Sequence, residues 1–298
     1  MKFLSPAKIN MHLGVGGPRH DGFHSICSWF LKVKLYDEID VDTAAHINGI
    51  SVEGNTAVPP ERDLIAKAAS LFFRETRLEE RCRIRVRKRI PIGAGLGGGS
   101  SNAATVLMAL NELHNCRLKH EELLKLSLYL GSDVPFFLGG PSAIVTGRGE
   151  EIEEISTIRT WWALIVDPGF SISTKDAYAW LDAAAEELKD TRAGQADRGT
   201  AEQEAYRLSS LNKAEIRAMA EGNPEKWQFC NDFSPVLYKR YPVLRAICGD
   251  LLSAGAIHAG VSGSGSACFG LFESYVNGAN AIKNVSDMPF WLKETLAS

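Results

Sequence analysis

The stretch PIGAGLGGGSSNAAT, Pro91 to Thr105, carries the strongest chemical signal in the sequence. A strand-like alternation runs into it and a helix-like pattern leaves it, so a strand turns through glycines and opens directly into a helix. Bare backbone N–H groups at a helix N-terminus attract anions, and glycine lets the main chain close on phosphate oxygens with no Cβ in the way. Five glycines in the seven positions 93–99 lose much conformational entropy on folding, a cost that packing alone does not explain. A phosphate compound is the expected ligand.

Its identity is less constrained. Gly93, Gly95 and Gly98 also satisfy G-x-G-x-x-G, but the acidic residue expected about 20 residues further on is replaced by a helix-like segment with Glu121 and Glu122. A P-loop is excluded as well, because no Lys-Ser/Thr pair follows the glycines. The loop points to a third phosphate-binding design.

The elements that would position this loop are visible in the apolar periodicity. Short apolar stretches at Ile9–Val15 and Trp29–Val41, punctuated by Gly-Gly-Pro and Asp-Gly, predict strands joined by turns. Arg62–Arg77 has helical spacing at Leu64, Ile65, Ala68, Ala69, Leu71, Phe72 and Phe73. Cys82, Ile84, Val86 and Lys88 alternate with Arg81, Arg83, Arg85, Arg87 and Arg89, which predicts a strand with one apolar and one basic, solvated face. Ser100–Asn115 follows as a helix with serines at its start, and Glu121–Leu130 as another. Trp161–Val166 is a buried strand, after which turns, helices and a second glycine cluster at 260–265 suggest a second α+β domain from about residue 150. The polar stretch 181–210 is expected to be peripheral: helix, mobile loop, helix.

Bulk properties bound the function. A chain of 298 residues, 45% hydrophobic and 23% charged, is long enough for one large domain or two ordinary ones. A formal net charge of -3 supplies no large positive field for nucleic acid or acidic membranes. The six cysteines lie far apart with no CxxC pair, which predicts reduced, mostly buried thiols and no metal site. No apolar run approaches the roughly 20 residues that span a bilayer, and a cytoplasmic location is expected.

Three segments then occur in the order found in GHMP kinases, which the chain resembles: PAKINMHLGV at 6–15, the glycine loop at 91–105 and VSGSGSACFG at 261–270. PRHDGFHSI at 18–26 and GSDVPFF at 131–137 are similar to segments of one branch of that superfamily, the diphosphocytidyl-methylerythritol kinases. The resemblance implies a two-domain α+β fold, residues 1–150 an N-terminal ATP-binding domain and 151–298 a C-terminal domain, with the active site in the cleft between them. It implies magnesium-ATP as donor, a small-molecule alcohol as acceptor, and no nucleic-acid or membrane partner. The loop residues Pro91, Gly93, Gly95, Leu96, Gly97, Gly98, Gly99, Ser100 and Ser101 become the ATP site.

The same resemblance carries catalytic roles to Lys8 and Asp133, the carboxylate as base for the substrate hydroxyl and the ammonium as its electrostatic partner. Phe23 and His24 take the positions of the aromatic ring and the base-reading histidine in the cytidine segment, with Tyr178 as a second aromatic. Asn10 and Thr174 are implied substrate contacts, and Ser100 and Ser101 are open to capping, phosphate or magnesium roles. One departure stands out: Asp63-Leu64-Ile65 replaces the usual Asn-Leu-Ile near the adenine site, and a carboxylate cannot donate an amide's hydrogen bonds. Rival readings are a GHMP kinase for mevalonate-like or homoserine-like alcohols, an NAD-dependent oxidoreductase, and a nucleic-acid-binding module using the arginine strand.

Overall fold

Two long strands open the chain, β1 (Lys2–Pro18) and β2 (His24–Asp42), paired as a hairpin and longer at both ends than the apolar runs suggest. The turn between them closes through Arg19 N–H to the Phe23 carbonyl at 2.7 Å, with Gly22 at φ 80°, a conformation that the Asp-Gly signal anticipates. In this computed structural model residues 1–44, 46–54, 59–156, 159–192, 211–285 and 287–296 are described. Its contacts divide the chain into two compact units that are not simply its two halves. One comprises 1–7, 34–92 and 97–140; the other comprises 8–33, 93–96 and 141–298. Residues 193–210, most of the expected peripheral stretch, lie outside the described residues.

In the first unit, β3 (Gly49–Glu53) runs parallel to β4 (Arg81–Arg87), which pairs antiparallel with the Glu38–Asp42 end of β2. The arginine face of β4 is neutralised within the sheet. Arg87, Arg85 and Arg83 lie directly opposite Glu38, Asp40 and Asp42, and each forms an ion pair with its opposite number, at 3.9, 3.8 and 3.2 Å. Glu53 of β3 reaches Arg85 at 3.1 Å, and Arg89 also pairs with Glu38. Cross-strand pairs of this kind add only tenths of a kcal/mol each at an exposed face. They nevertheless commit the guanidinium groups to carboxylates, which removes the basis for a polyanion-binding strand.

Helices cover this unit with buried apolar faces. They are α1 (Leu64–Thr76), α2 (Gly98–Leu113), α3 (His120–Leu130) and α4 (Val134–Leu138). Phe72, Phe73, Ala103, Val106, Leu107, Leu110 and Phe136 are all at most 1% exposed. Asp63 is the N-cap of α1, its carboxylate accepting from Ile65 N–H at 2.9 Å. The residue that departs from the Asn-Leu-Ile pattern is therefore occupied in capping a helix.

In the second unit, the Ile26–Leu31 end of β2 pairs antiparallel with β5 (Ser142–Gly147), which pairs with β6 (Glu151–Glu154). A second antiparallel sheet has the order β10-β7-β9-β8, from β7 (Trp162–Val166), β8 (His258–Val261), β9 (Cys268–Phe272) and β10 (Phe290–Glu294). The helices that follow in this unit are α5 (Thr174–Arg192), α6 (Lys213–Glu221), which lies against β5 and pairs through Lys213 and Arg217 with Glu151 and Glu153 of β6, α7 (Ser234–Arg240), α8 (Pro242–Ser253) and α9 (Tyr275–Ala281). Leu13, Val15, Leu164, Val166, Leu237, Ile247, Leu251 and Phe272 belong to one core cluster here. None of the six cysteines is in a disulfide; Cys82, Cys248 and Cys268 are buried, Cys27 is half-buried, and Cys116 and Cys230 are exposed, so the expected burial holds for only three of them.

An aromatic cluster of Trp29, Trp161, Trp227, Phe229 and Phe269 surrounds two histidines, His12 and His258. Burial first, and the neighbouring His12 second, push the His258 imidazole down from the ordinary 6.5 to about 4, against a Met11 backbone hydrogen bond that pulls the other way. The unfolded chain takes up this proton near pH 6.5 while the folded chain resists until about pH 4. The stability that neutral His258 contributes is therefore complete above 6.5 and falls as the pH drops through that window. At about 1.4 kcal/mol per pH unit the loss is roughly 3 kcal/mol. Urea unfolding at pH 7.5 and 4.5 measures it, and His258→Gln flattens the dependence. A residual slope remains from His114, which burial and Arg117 also hold down.

Candidate active site

The glycine loop enters α2 differently from the pattern of serine caps expected at Ser100. The helix begins at Gly98, and its N-cap is Gly97 in the left-handed conformation, φ 69°, with no side-chain capping bond. Ser101 N–H makes the first helical bond, to the Gly97 carbonyl at 2.8 Å. The N–H groups of Gly98, Gly99 and Ser100 thus have neither a helical acceptor nor a cap, which is the electrostatic condition for holding a phosphate. A side chain at Gly98 would meet Ile90 at 2.9 Å, so glycine is also required for the helix to sit this close to the preceding strand.

Ser101 points inward instead of toward a ligand. It is fully buried, and its hydroxyl shares a 2.8 Å hydrogen bond with Ser5. Asn102 donates to Ser5 and to Asp37, both at 2.9 Å, and accepts from Lys88 at 3.0 Å. Asp37, with no exposed surface, also accepts from the backbone N–H groups of Arg89 at 2.7 Å and Ile90 at 2.9 Å and pairs with Lys88. One buried carboxylate therefore ties β2, the end of the β4 segment and the first turn of α2 together. Ser100, half-buried, is the hydroxyl left at the loop surface.

Within the second unit, Gly93–Leu96 lies against the second glycine cluster. Ser262 donates its hydroxyl to the Gly95 carbonyl at 2.9 Å, Ala267 N–H bonds the Ala94 carbonyl at 3.1 Å, and Lys8 N–H bonds the Leu96 carbonyl at 3.0 Å. A Cβ on Gly95, whose φ is +79°, would stand 2.0 Å from the Ser262 carbonyl oxygen; only glycine permits this approach. Asn231 holds the cluster's backbone through the carbonyls of Val261 at 2.9 Å and Gly263 at 2.7 Å, and Thr174 shares a 3.0 Å hydrogen bond with Ser264.

Lys8 and Asn10 are both 3% exposed, alternate along β1, and meet at 2.6 Å between the ammonium and the amide oxygen. Asn10 donates to Ser28 at 3.0 Å, and Ser28 donates to the His12 carbonyl. The Lys8 ammonium also sits 4.7 Å from the centre of the Phe30 ring. A buried cation held at its base by an amide and a ring is positioned rigidly. Asp133, in the other unit, sits at the N-cap position of α4 and makes no capping bond there. Behind it Val134, Pro135, Phe136, Phe137 and Leu138 are all buried, so apolar packing fixes where the carboxylate stands.

The residues expected to hold a nucleobase form a group of their own. His24 stacks on Tyr178 at 4.7 Å and 25°, and its Nε2 lies 2.8 Å from an Asp182 carboxylate oxygen. Tyr178 rests edge-on against Phe233 at 5.0 Å. Phe23 is 50% exposed, with the Arg148 guanidinium 5.0 Å from its ring centre. Tyr178 thus backs His24, and Phe23 is half exposed with a guanidinium over its ring. Sequence reading did not find Asp182, Asn231, Ser28, Asp37, Lys88 or Asn102. Each acts through a partner distant in the chain, and only the serine-asparagine run after the glycines offered a local signal.

The class of protein is that of the small-molecule kinases of the GHMP family. Residues 63–141 match the GHMP kinases N terminal domain, and residues 208–289 match the GHMP kinases C terminal domain. The chain belongs to the family of 4-diphosphocytidyl-2-C-methyl-D-erythritol kinases. It is 36% identical to the kinase of that name from Citrifermentans bemidjiense over 98% of this chain and 96% of the relative. With the one from Syntrophotalea carbinolica it shares 33% over 97% and 95%. A crystal structure of 4-(cytidine 5'-diphospho)-2C-methyl-D-erythritol kinase superposes over 100% of both chains with a TM-score of 0.80 at 28% identity. A homoserine kinase from Cytophaga hutchinsonii shares the fold at 17% identity, covering 100% of this chain and 94% of its own, with a TM-score of 0.69. An oxidoreductase or nucleic-acid module is thereby excluded as the chain's family. Among the described residues no helix is long and apolar enough to cross a membrane.

Proposed function

We infer that this chain transfers the γ-phosphoryl group of ATP to the 2-hydroxyl of 4-diphosphocytidyl-2-C-methyl-D-erythritol, a step of the methylerythritol phosphate route to isoprenoid precursors. The observation that carries this reading is full-length similarity to kinases of that name, joined to an uncapped helix N-terminus within a run of five glycines. The N–H groups at Gly98, Gly99 and Ser100 and the backbone of Gly93, Gly95, Leu96 and Gly97 cradle the ATP phosphates, with Pro91 leading the strand into the loop. Asp133 accepts the proton of the attacking hydroxyl, and Lys8 offsets charge developing on the transferred group. Asn10 keeps the Lys8 ammonium in place beside the reacting groups, and Thr174, tethered to Ser264, contacts the substrate's polar chain. Phe23 offers a face to cytosine and His24 reads its edge, with Tyr178 supporting the His24 ring from behind.

Among the described residues no group of three or more His, Cys, Asp or Glu is arranged to hold a metal by itself. Ser100 is the residue that would hold magnesium bound with the nucleotide. When bound, magnesium neutralises phosphate charge. ATP as donor makes the cytoplasm the compartment of this reading.

The test is incubation of the purified protein with magnesium, ATP and 4-diphosphocytidyl-2-C-methyl-D-erythritol, followed by phosphorus NMR. Appearance of the 2-phosphate is expected. Turnover of mevalonate-like or homoserine-like alcohols with no reaction of the cytidyl substrate would reassign the chain to another substrate within the same class.

A further inference from the structure

Asn231 is buried, and both ends of its amide are engaged. The nitrogen donates to the carbonyls of Val261 at 2.9 Å and Gly263 at 2.7 Å, while the oxygen accepts from Phe233 N–H at 2.9 Å. Carbonyls only accept and the backbone N–H only donates, so the amide has one orientation. Its own main chain is fixed to β1: Leu13 N–H bonds the Cys230 carbonyl and Asp232 N–H bonds the Leu13 carbonyl, both at 2.9 Å. The turn that Asn231 holds packs further along the same strand. A Cβ on Gly263 would stand 3.5 Å from Lys8 Nζ and 3.4 Å from both Asn10 Oδ1 and the Gly95 carbonyl oxygen, so the Gly263 main chain lies directly against all three. One strand therefore carries the anchor of Asn231, at Leu13, and the two side chains that the tethered turn walls in.

We propose that Asn231 is a positioning residue for phosphoryl transfer: by tying down the Gly263 backbone it keeps the wall beside the Lys8 ammonium in place, and it acts on the reaction through that ammonium. A fixed charge stabilises a transition state only from the correct place, and a displacement of about 1 Å costs on the order of 100-fold in rate. Without the amide, the Val261 and Gly263 carbonyls lose their donor, and the turn is free to move away from Lys8 and Asn10. The consequence falls on the transfer step, because the turn reaches the lysine rather than the aromatic group around His24. This inference rests on the reading of Lys8 as the charge beside the transferred group.

Kinetics of the full chain with magnesium-ATP and the cytidyl substrate test it, with single-turnover rates for the slow variants. Asn231→Ala should lower kcat about 10–100-fold while both KM values stay within about threefold. Asn231→Asp, equal in size but with no donor for the two carbonyls, should give the same split. In a Lys8→Ala background the addition of Asn231→Ala should change the rate by less than about threefold, because the group it acts through is gone. Gly263→Ala keeps the tether but sets a methyl against the ammonium; it should reproduce the loss of kcat and its disappearance without Lys8, and it carries the test if the Asn231 variants do not fold. An equal loss with and without Lys8 would make Asn231 a packing residue only, and a raised KM with kcat intact would make it part of a binding wall; either result overturns the proposal. Lys8→Ala turning over like the wild type would instead remove the reading of Lys8, and the inference with it.

Discussion

Asp133→Asn lowers kcat by about 10²–10⁴, the range that a positioned general base contributes. The amide has the shape of the carboxylate but cannot take the proton of the attacking hydroxyl. The amide is the same size as the carboxylate, and the helix behind it is held by the buried Val134, Phe136, Phe137 and Leu138, so the fold is expected to survive the exchange. A tenfold change in rate is about 1.4 kcal/mol of barrier, so the expected loss is about 3–5 kcal/mol of transition-state stabilisation. Steady-state kinetics with a thermal melt on the same preparation separates chemistry from folding. A folded variant that still turns over like the wild type would remove Asp133 from the reaction.

The largest effect on stability is expected at Asp37. Its carboxylate has no exposed surface and collects two backbone N–H bonds, the Asn102 amide and the Lys88 ammonium. Truncation to alanine leaves Lys88, whose side chain is 16% exposed, with its charge uncompensated at the base of the phosphate loop. Breaking a buried pair in this way costs about 3–5 kcal/mol. The urea midpoint of Asp37→Ala measures this. Adding Lys88→Met should restore part of the loss, because the stranded charge goes with it. Equal midpoints for the single and double variants would mean that the backbone bonds to Arg89 and Ile90, rather than the ion pair, carry the cost.

Much of the site was legible because its chemistry is local. A phosphate cradle needs consecutive glycines before a helix, and 91–105 contains them in order. The alternation of β4 is likewise local, since side chains of a strand point to opposite faces in turn. What could not be read was anything set by register between distant segments. That Arg83, Arg85 and Arg87 face Asp42, Asp40 and Glu38 depends on how β4 slides against β2. Slipping the pairing would turn the same arginines into the basic surface of a polyanion binder.

The helix start shows the same limit at shorter range. Serine is the commoner cap, so Ser100 and Ser101 predict a helix opening there. A left-handed Gly97 starts the helix earlier, and burial of Ser101 against Ser5 turns an expected ligand group into a structural one. The glycine run before a helix thus pointed to a phosphate ligand, periodicity outlined the elements, and the fold class and the catalytic candidates came from the family resemblance that the order of the motifs carries. Tertiary structure alone decided which polar side chains face a ligand and which are spent inside, because a hydroxyl or carboxylate has the same chemistry in either place until packing assigns its partner. Asp182 and His24, Ser262 and Gly95, and Asp37 and Asn102 became pairs only when folding removed water from between segments that the chain keeps far apart.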